Sequence, residues 1–353
     1  MTASYAWQDL IADLRAAGAK PEHERRIVRA LFGRAPMKAP NGANFPKAVL
    51  DAIPDIESRW AAVSRVVRVS GDKLLSQLSD GELVESVMLP REGLCISTQV
   101  GCAVGCRFCM TGRSGLVRQL TSAEMLAQVK AGIAIEPKLS KVKFMGMGEP
   151  AHNRRNLLET LDVLGGVLEF AHKNLTVSTV GDVKLLEALA AGPVRPGLAV
   201  SLHATDAELR RHLLPKAPDL APETLVKMAI DYADLVKYPV QFEWTLLEGV
   251  NDAVDQIERL AGWLAGRRAM VNFIALNPIP DSPYRRVPQA RAEDLITVLR
   301  RAGVVATLRQ SAAQEVDGGC GQLRAKCLHE QGVAAKNEDQ EEQGRIVPIT
   351  PRK

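Results

Sequence analysis

Apolar positions keep a helical spacing at the start of the chain and a two-residue spacing just after it. Trp7, Leu10, Ile11 and Leu14 recur at helical intervals, Ile27, Val28, Leu31 and Phe32 come next, and Pro36, Pro40 and Pro46 then interrupt the pattern. This predicts a small helical module over residues 1–62, standing apart from the rest of the chain. Between residues 64 and 89 the runs VVRV, KLLSQL and ELVESVML alternate by two. Ser70-Gly71-Asp72 and Ser79-Asp80-Gly81 separate them as turns, so residues 63–93 read as a short antiparallel β meander. In its last strand Leu83, Glu85, Val87 and Leu89 share a face, which puts a carboxylate among apolar side chains. Burial there would raise the pKa of Glu85 and suit it to act as a base. A solvent-facing glutamate on an edge strand is the competing reading.

Beyond residue 94 the periods alternate. Strands are expected at 95–100, 141–145, 174–179, 197–202, 239–246, 270–276 and 304–309, with helices at 122–134, 154–170, 182–191, 222–236, 252–266 and 289–302. Such alternation argues for parallel βα units, and their number for a partial (β/α)6-type barrel over 94–331, an α/β fold. Ligand chemistry then belongs at the C-terminal ends of the strands. The polar stretch 332–353 is expected to be a disordered tail.

Composition narrows the class. The chain has 353 residues, 46% hydrophobic and 24% charged, enough for a sizeable core. No run of about 18 apolar residues suggests a membrane span. The first residues lack the basic and apolar regions of a secretory signal, so the cytoplasm is the expected compartment. A net charge of +4 neither requires nor excludes a polyanion. Arg25, Arg26, Arg29 and Arg34, and the pair Arg154 and Arg155, are local basic clusters. Solvated helix faces explain them more readily than RNA phosphates do.

The chemistry lies in the six cysteines: Cys95, Cys102, Cys106, Cys109, Cys320 and Cys327. Four fall close together, which in a cytosolic chain favours metal ligation or catalysis over disulfides. Cys102-Ala-Val-Gly-Cys106-Arg-Phe-Cys109 is a CxxxCxxC triad after a strand. Three thiolates so spaced can bind three irons of a [4Fe–4S] cluster and leave the fourth open to S-adenosylmethionine (SAM). Zinc is the alternative, but it would want a fourth ligand, for which only Cys95 or a histidine offers itself. Lys143-Phe-Met-Gly-Met-Gly-Glu149-Pro150 ends the second strand of the barrel; its carboxylate and glycine-exposed backbone suit an ammonium group.

The triad, with an aromatic before its last cysteine, resembles the radical SAM superfamily. Cys95–Cys102, Met145–Pro150, Val200-Ser-Leu-His-Ala204, Asn277-Pro-Ile-Pro and Gly319-Cys-Gly-Gln-Leu323 resemble the RlmN/Cfr RNA methyltransferases, in the family's order from about residue 65 to 325. The resemblance implies that Cys102, Cys106 and Cys109 hold the cluster. It implies SAM contacts at Gly148, Glu149, Ser201, Leu202, His203 and Asn277. Cys320 matches the cysteine methylated by one SAM, from which a 5′-deoxyadenosyl radical made from a second SAM takes hydrogen. Cys95 matches the resolving cysteine that forms a transient disulfide with Cys320, and Glu85 matches the proton acceptor. Taken alone, Cys95 reads as a buried strand thiol, Cys320 as a loop thiol, His203 as a core histidine and Asn277 as a turn residue. Cys327 carries no role over from the family.

The implied reaction is methylation of C2 of an adenosine in 23S rRNA, and in tRNA in some members, with C8 methylation as the Cfr-like alternative. A radical SAM enzyme with another substrate also remains open. The implied electron donor is flavodoxin with its reductase, or ferredoxin, and a monomer is the default state. The target base is expected to be flipped out of its RNA. Three features depart from the family: Val180 stands where a SAM-contacting serine is usual, the Pro90–Cys95 segment is short, and Met110-Thr-Gly-Arg113 with Leu116 replaces a more typical loop.

Overall fold

The computed structural model describes residues 5–38, 45–309 and 319–330. The expected tail lies outside these residues, as does Pro40. Three helices open the chain: α1 (Trp7–Ala16), α2 (Pro21–Leu31) and α3 (Lys47–Ala61). Trp7, Leu10, Leu14, Ile27, Val28, Phe32 and Trp60 form their common face, and Trp60 meets Trp7 and Phe32 edge-on. This face does not stand apart. Its residues join one continuous hydrophobic core with Leu94, Ile133 and Val142 beneath it.

Arginines in and just after α2 explain part of that junction. Arg25 and Arg29 both reach Glu169, at 2.9 and 2.8 Å. Arg34 donates to the carbonyl of Leu139 at 2.7 Å and lies over the Phe170 ring, while Arg26 lies over Phe45. Arg25, Arg29 and Arg34 thereby tie the helical module to the barrel, while the Arg25 side chain stays half exposed.

The meander forms as expected, from β1 (Ser64–Ser70), β2 (Lys73–Leu78) and β3 (Leu83–Leu89), all antiparallel. Then β4 (Gly93–Ile96) turns the sheet parallel. The expected strand 95–100 is two strands: after Ile96 the chain leaves the main sheet, and β5 (Gln99–Gly101) pairs with β6 (Leu116–Gln119) as a separate ribbon. The cluster loop is the excursion between β5 and β6, containing the short helix α4 (Met110–Arg113). The parallel strands continue as β7 (Lys141–Phe144), β8 (Leu175–Thr179), β9 (Gly197–Ser201), β10 (Val240–Leu246), β11 (Ala269–Ala275) and β12 (Val305–Arg309). They run in sequence order across one ten-stranded sheet that also holds the meander.

Counting β4, seven strands are parallel, one more than a (β/α)6 pattern, and among the described residues the sheet stays open between β1 and β12. Helices α5 (Ser122–Ile135), α6 (Arg154–Asp162), α7 (Val183–Ala191), α8 (Ala207–Leu213), α9 (Pro222–Val236), α10 (Val254–Leu264) and α11 (Gln289–Arg301) lie between strands. The last, α12 (Gln322–Glu330), returns to the meander. The strand β9 is apolar and buried up to Ser201 at its end, whereas β1 at the sheet edge is largely exposed. The interior of the curved sheet is polar: Asn272 donates to Glu243 at 2.8 Å and Thr307 to Asn272 at 3.0 Å.

Candidate active site

The cluster loop is built so that backbone, not side chains, fills its inside. Gly101 has φ +80°, and a Cβ there would fall 1.9 Å from the carbonyl oxygen of Gly115. A Cβ on Gly112 would meet the Cys106 amide nitrogen at 2.8 Å. The loop thereby folds back on itself and brings Cys102, Cys106 and Cys109 near one another, so that Cys109 raises the pKa of Cys102 and both raise that of Cys106. Burial is the larger cause: it pushes Cys102 up to about 12, Cys106 well above the ordinary thiol, and Cys109 upward. Backbone amides of Val104, Gly105, Thr111 and Gly112 oppose it by donating to the sulfurs.

Three thiols pressed together out of water become thiolates only against positive charge, which iron supplies, and amide–sulfur bonds are how proteins tune such clusters. Among the described residues no three His, Cys, Asp or Glu side chains close on a point that one metal ion would fill.

Beside the loop, Gly148 has φ +104° and packs against Gln99 where a Cβ would overlap, at 2.6 Å. The Gln99 side chain in turn accepts from the Glu149 amide at 2.7 Å. The Glu149 carboxylate is buried and takes amide donors from Ala151 and Val180 at 3.1 and 3.0 Å. Desolvation outweighs those donors and that of Thr179, and raises its pKa to about 7. An arriving ammonium would reverse the shift. Val180 thus contributes through its backbone, while its side chain sits in an apolar cluster with Cys102, Val104 and Leu213.

His203 has φ +60° and is neutral: burial, then Arg210, lowers its pKa to about 3. Its Nδ1 accepts from the Thr245 amide at 2.9 Å, and its ring meets Phe108, the aromatic before Cys109, at 4.8 Å. It supports the cluster loop from below. Leu202 is fully buried, and its N–H bonds Glu243 across the sheet. Ser201 ends β9, where its carbonyl accepts from Arg210.

Cys95, Cys109, Asn277 and Cys320 line one cavity of about 480 Å³, together with Glu243 and Arg309. Burial raises Cys95 to about 11, and burial, then Cys95 and Glu85, raises Cys320 further. All six cysteines are free, so the expected Cys95–Cys320 disulfide is not a standing bond.

Glu85 is buried as expected, but it is not isolated among apolar groups. Its Oε1 accepts from the Arg324 amide at 2.7 Å. Its Oε2 accepts from the Gly321 amide at 3.0 Å and lies 3.3 Å from Lys73 Nζ. The charged carboxylate has partners on both oxygens, so the expected activation by an apolar face gives way to a buried ion pair at the start of α12. The reason is tertiary: α12 arrives from the far end of the chain and brings its unpaired amides.

Sequence reasoning missed Lys73, Thr111 and Arg210. Lys73 had a signal, a charge on the apolar face of β2 diagonal to Glu85 in the hairpin register. Thr111 donates to the Cys320 carbonyl at 2.9 Å. Arg210 is buried and bonds the carbonyls of Val180 and Ser201, linking two strand ends beside Glu149. Neither had a local signal.

A loop with three thiols at the C-terminal mouth of a parallel α/β sheet, next to a glycine-flanked carboxylate, defines a radical SAM site. A family model described as the Radical SAM superfamily matches residues 96–264. The chain is 48% identical over 328 residues to a protein of Azoarcus sp. (strain BH72) named "Probable RNA methyltransferase", covering 91% of this chain and 94% of that one. It is 50% identical over 324 residues to one of Leptothrix cholodnii bearing the same name, covering 89% and 93%. The crystal structure of a radical SAM methyltransferase from Sphaerobacter thermophilus superposes with a TM-score of 0.77 at 32% identity, over 90% of this chain and 97% of that one. The chain belongs to the radical SAM superfamily. Among the described residues no helix is long and apolar enough to cross a membrane.

Proposed function

We propose that this chain is an RNA methyltransferase that methylates C2 of an adenosine in 23S rRNA, with tRNA as a second pool, by way of a methylated Cys320. The observation that carries the reading is the shared cavity: Cys320 and Cys95 line it together with Cys109 of the cluster triad. Its volume of about 480 Å³ suits a flipped base beside a cofactor. The names of the relatives support RNA as the substrate class.

Cys102, Cys106 and Cys109 would hold a [4Fe–4S] cluster. Gly148, Glu149, Ser201, Leu202, His203 and Asn277 would hold SAM. When bound, the pair would supply one-electron cleavage of the sulfonium and with it hydrogen abstraction, and a second SAM would supply the methyl group. The residues do the rest. Glu149 fixes an ammonium with a carboxylate whose charge that ammonium favours. The Cys320 sulfur carries the one-carbon unit to the base, which an electron-poor ring carbon could not collect as a nucleophile. Glu85, one loop away from Cys320, takes the proton that the base gives up. Once the adduct has given up one electron, the Cys95 thiolate, on the same wall, attacks the Cys320 sulfur. The S–C bond breaks, and its electron pair stays with the one-carbon unit, which takes up a proton and becomes the methyl group. External reductant reopens the Cys95–Cys320 disulfide. The electron enters from a partner such as flavodoxin with its reductase, or ferredoxin.

Nucleoside mass spectrometry of 23S rRNA and tRNA, from cells with and without the gene, tests this. The reading expects 2-methyladenosine to vanish with the gene and to return with wild type but not with Cys320→Ala. A change in 8-methyladenosine would make the reaction Cfr-like. No change in either nucleoside would exclude both.

A further inference from the structure

The Cys320 loop meets the barrel through Thr111, Met145 and Pro278, and its other side is held by the meander. Leu323 is fully buried against Leu75 and Leu83, with Cys327 and Leu328 packed alongside. Arg324 donates to the Leu83 carbonyl at 2.9 Å and reaches Glu82 at 2.9 Å. The polar centre of this contact is Lys73, only 1% exposed. Its ammonium lies 2.6 Å from the Gly319 carbonyl and 3.3 Å from Glu85 Oε2. Glu85 in turn holds the amides of Gly321 and Arg324. The pair thus grips the backbone on both sides of Cys320, at Gly319 and at Gly321.

We propose that Lys73 is a positioning residue for the Cys320 thiol. With Glu85 it forms a buried latch that seats the loop over the cavity. The assignment deepens the reading above, in which Cys320 carries the methyl group, but the latch itself is independent of methylation. Packing alone would not call for two buried charges. A buried pair costs desolvation that apolar side chains avoid, and its well-attested use is to fix one register. Here the register is that of a loop whose sulfur must meet a methyl donor, a base and Cys95 within one cavity.

The test is a timed iodoacetamide pulse on the full-length, cluster-reconstituted protein, with alkylation of Cys320 read by peptide mass spectrometry and hydrogen exchange read over 322–330. The inference expects Lys73→Met to speed both about tenfold or more, the effect of losing a hydrogen bond from a charged group. Exchange in α5 and α9 should stay unchanged. Lys73→Arg, which keeps a cation within reach of the Gly319 carbonyl, should restore most of the protection.

The Lys73 charge lowers the Cys320 pKa, so its loss alone would slow alkylation. Faster reaction therefore reports opening of the loop. Glu85→Gln should open the loop too, but the Glu85 charge raises the Cys320 pKa. This variant, and the double variant Lys73→Met/Glu85→Gln used if a single variant does not fold, are therefore read by hydrogen exchange over 322–330 and not by alkylation. Alkylation and exchange within twofold of wild type in Lys73→Met would overturn the assignment. Absence of a methyl group on Cys320 in protein purified from cells would instead sink the methyl-carrier reading and leave the latch result standing.

Discussion

Replacing Glu149 by glutamine should change the pH dependence of stability more than stability itself. In the folded, cluster-free chain burial raises this carboxyl to about 7 from an ordinary 4.5. Between those values the folded chain keeps a proton that the unfolded chain has released, so stability falls as pH rises through the window and levels off above it. Over pH 5 to 8 the loss from this one group is about 2 to 3 kcal/mol. Glu149→Gln cannot ionise and should escape it. The substitution also turns a donor toward the Val180 amide, a cost of about 1 to 3 kcal/mol that is the same at every pH. Urea denaturation of both proteins at pH 5, 6, 7 and 8 separates the two effects: the difference between them should shift toward the variant by about 2 to 3 kcal/mol, with its midpoint between 4.5 and 7. Other titrating groups are common to both proteins and cancel. A pH-independent difference would refute the argument and show that amide donors and penetrating water fully solvate this carboxylate.

Gly101→Ala should abolish iron incorporation, measured as iron and sulfide per chain, because its Cβ would overlap the Gly115 carbonyl in a left-handed backbone. The imidazole of His203 should show no NMR titration between pH 5 and 8, since it protonates only near 3. Below pH 6.5 only the unfolded chain gains that proton, so stability falls from there downward. Phe170→Ala should destabilise the chain by about 3 to 5 kcal/mol in thermal or urea unfolding, as a buried aromatic at the junction of helical module and barrel. An effect below about 1 kcal/mol would mean that the module does not depend on this contact.

Local pattern determined the parts of this protein that depend on neighbours in sequence. The helical spacing around Leu10 and Ile27, the alternation in the meander and the strand–helix repeat each report which face is buried, and the sheet places them accordingly. The CxxxCxxC triad and the Gly148–Glu149 turn were legible for the same reason, since each packs its chemistry into one short loop. Tertiary structure decided what depends on segments far apart. It split the strand at Ile96, sending β5 to pair with β6, because pairing partners are not written in either strand. It turned Arg25 and Arg29 of α2 into ties to Glu169, and Arg34 just after it into a tie to Leu139 and Phe170, some hundred residues away or more. It gave Glu85 a lysine from the adjacent strand and two amides from the last described helix, so that an apolar-looking face became an ion pair. The surroundings of a buried charge are a property of everything packed around it, and spacing along the chain records only one side of that packing.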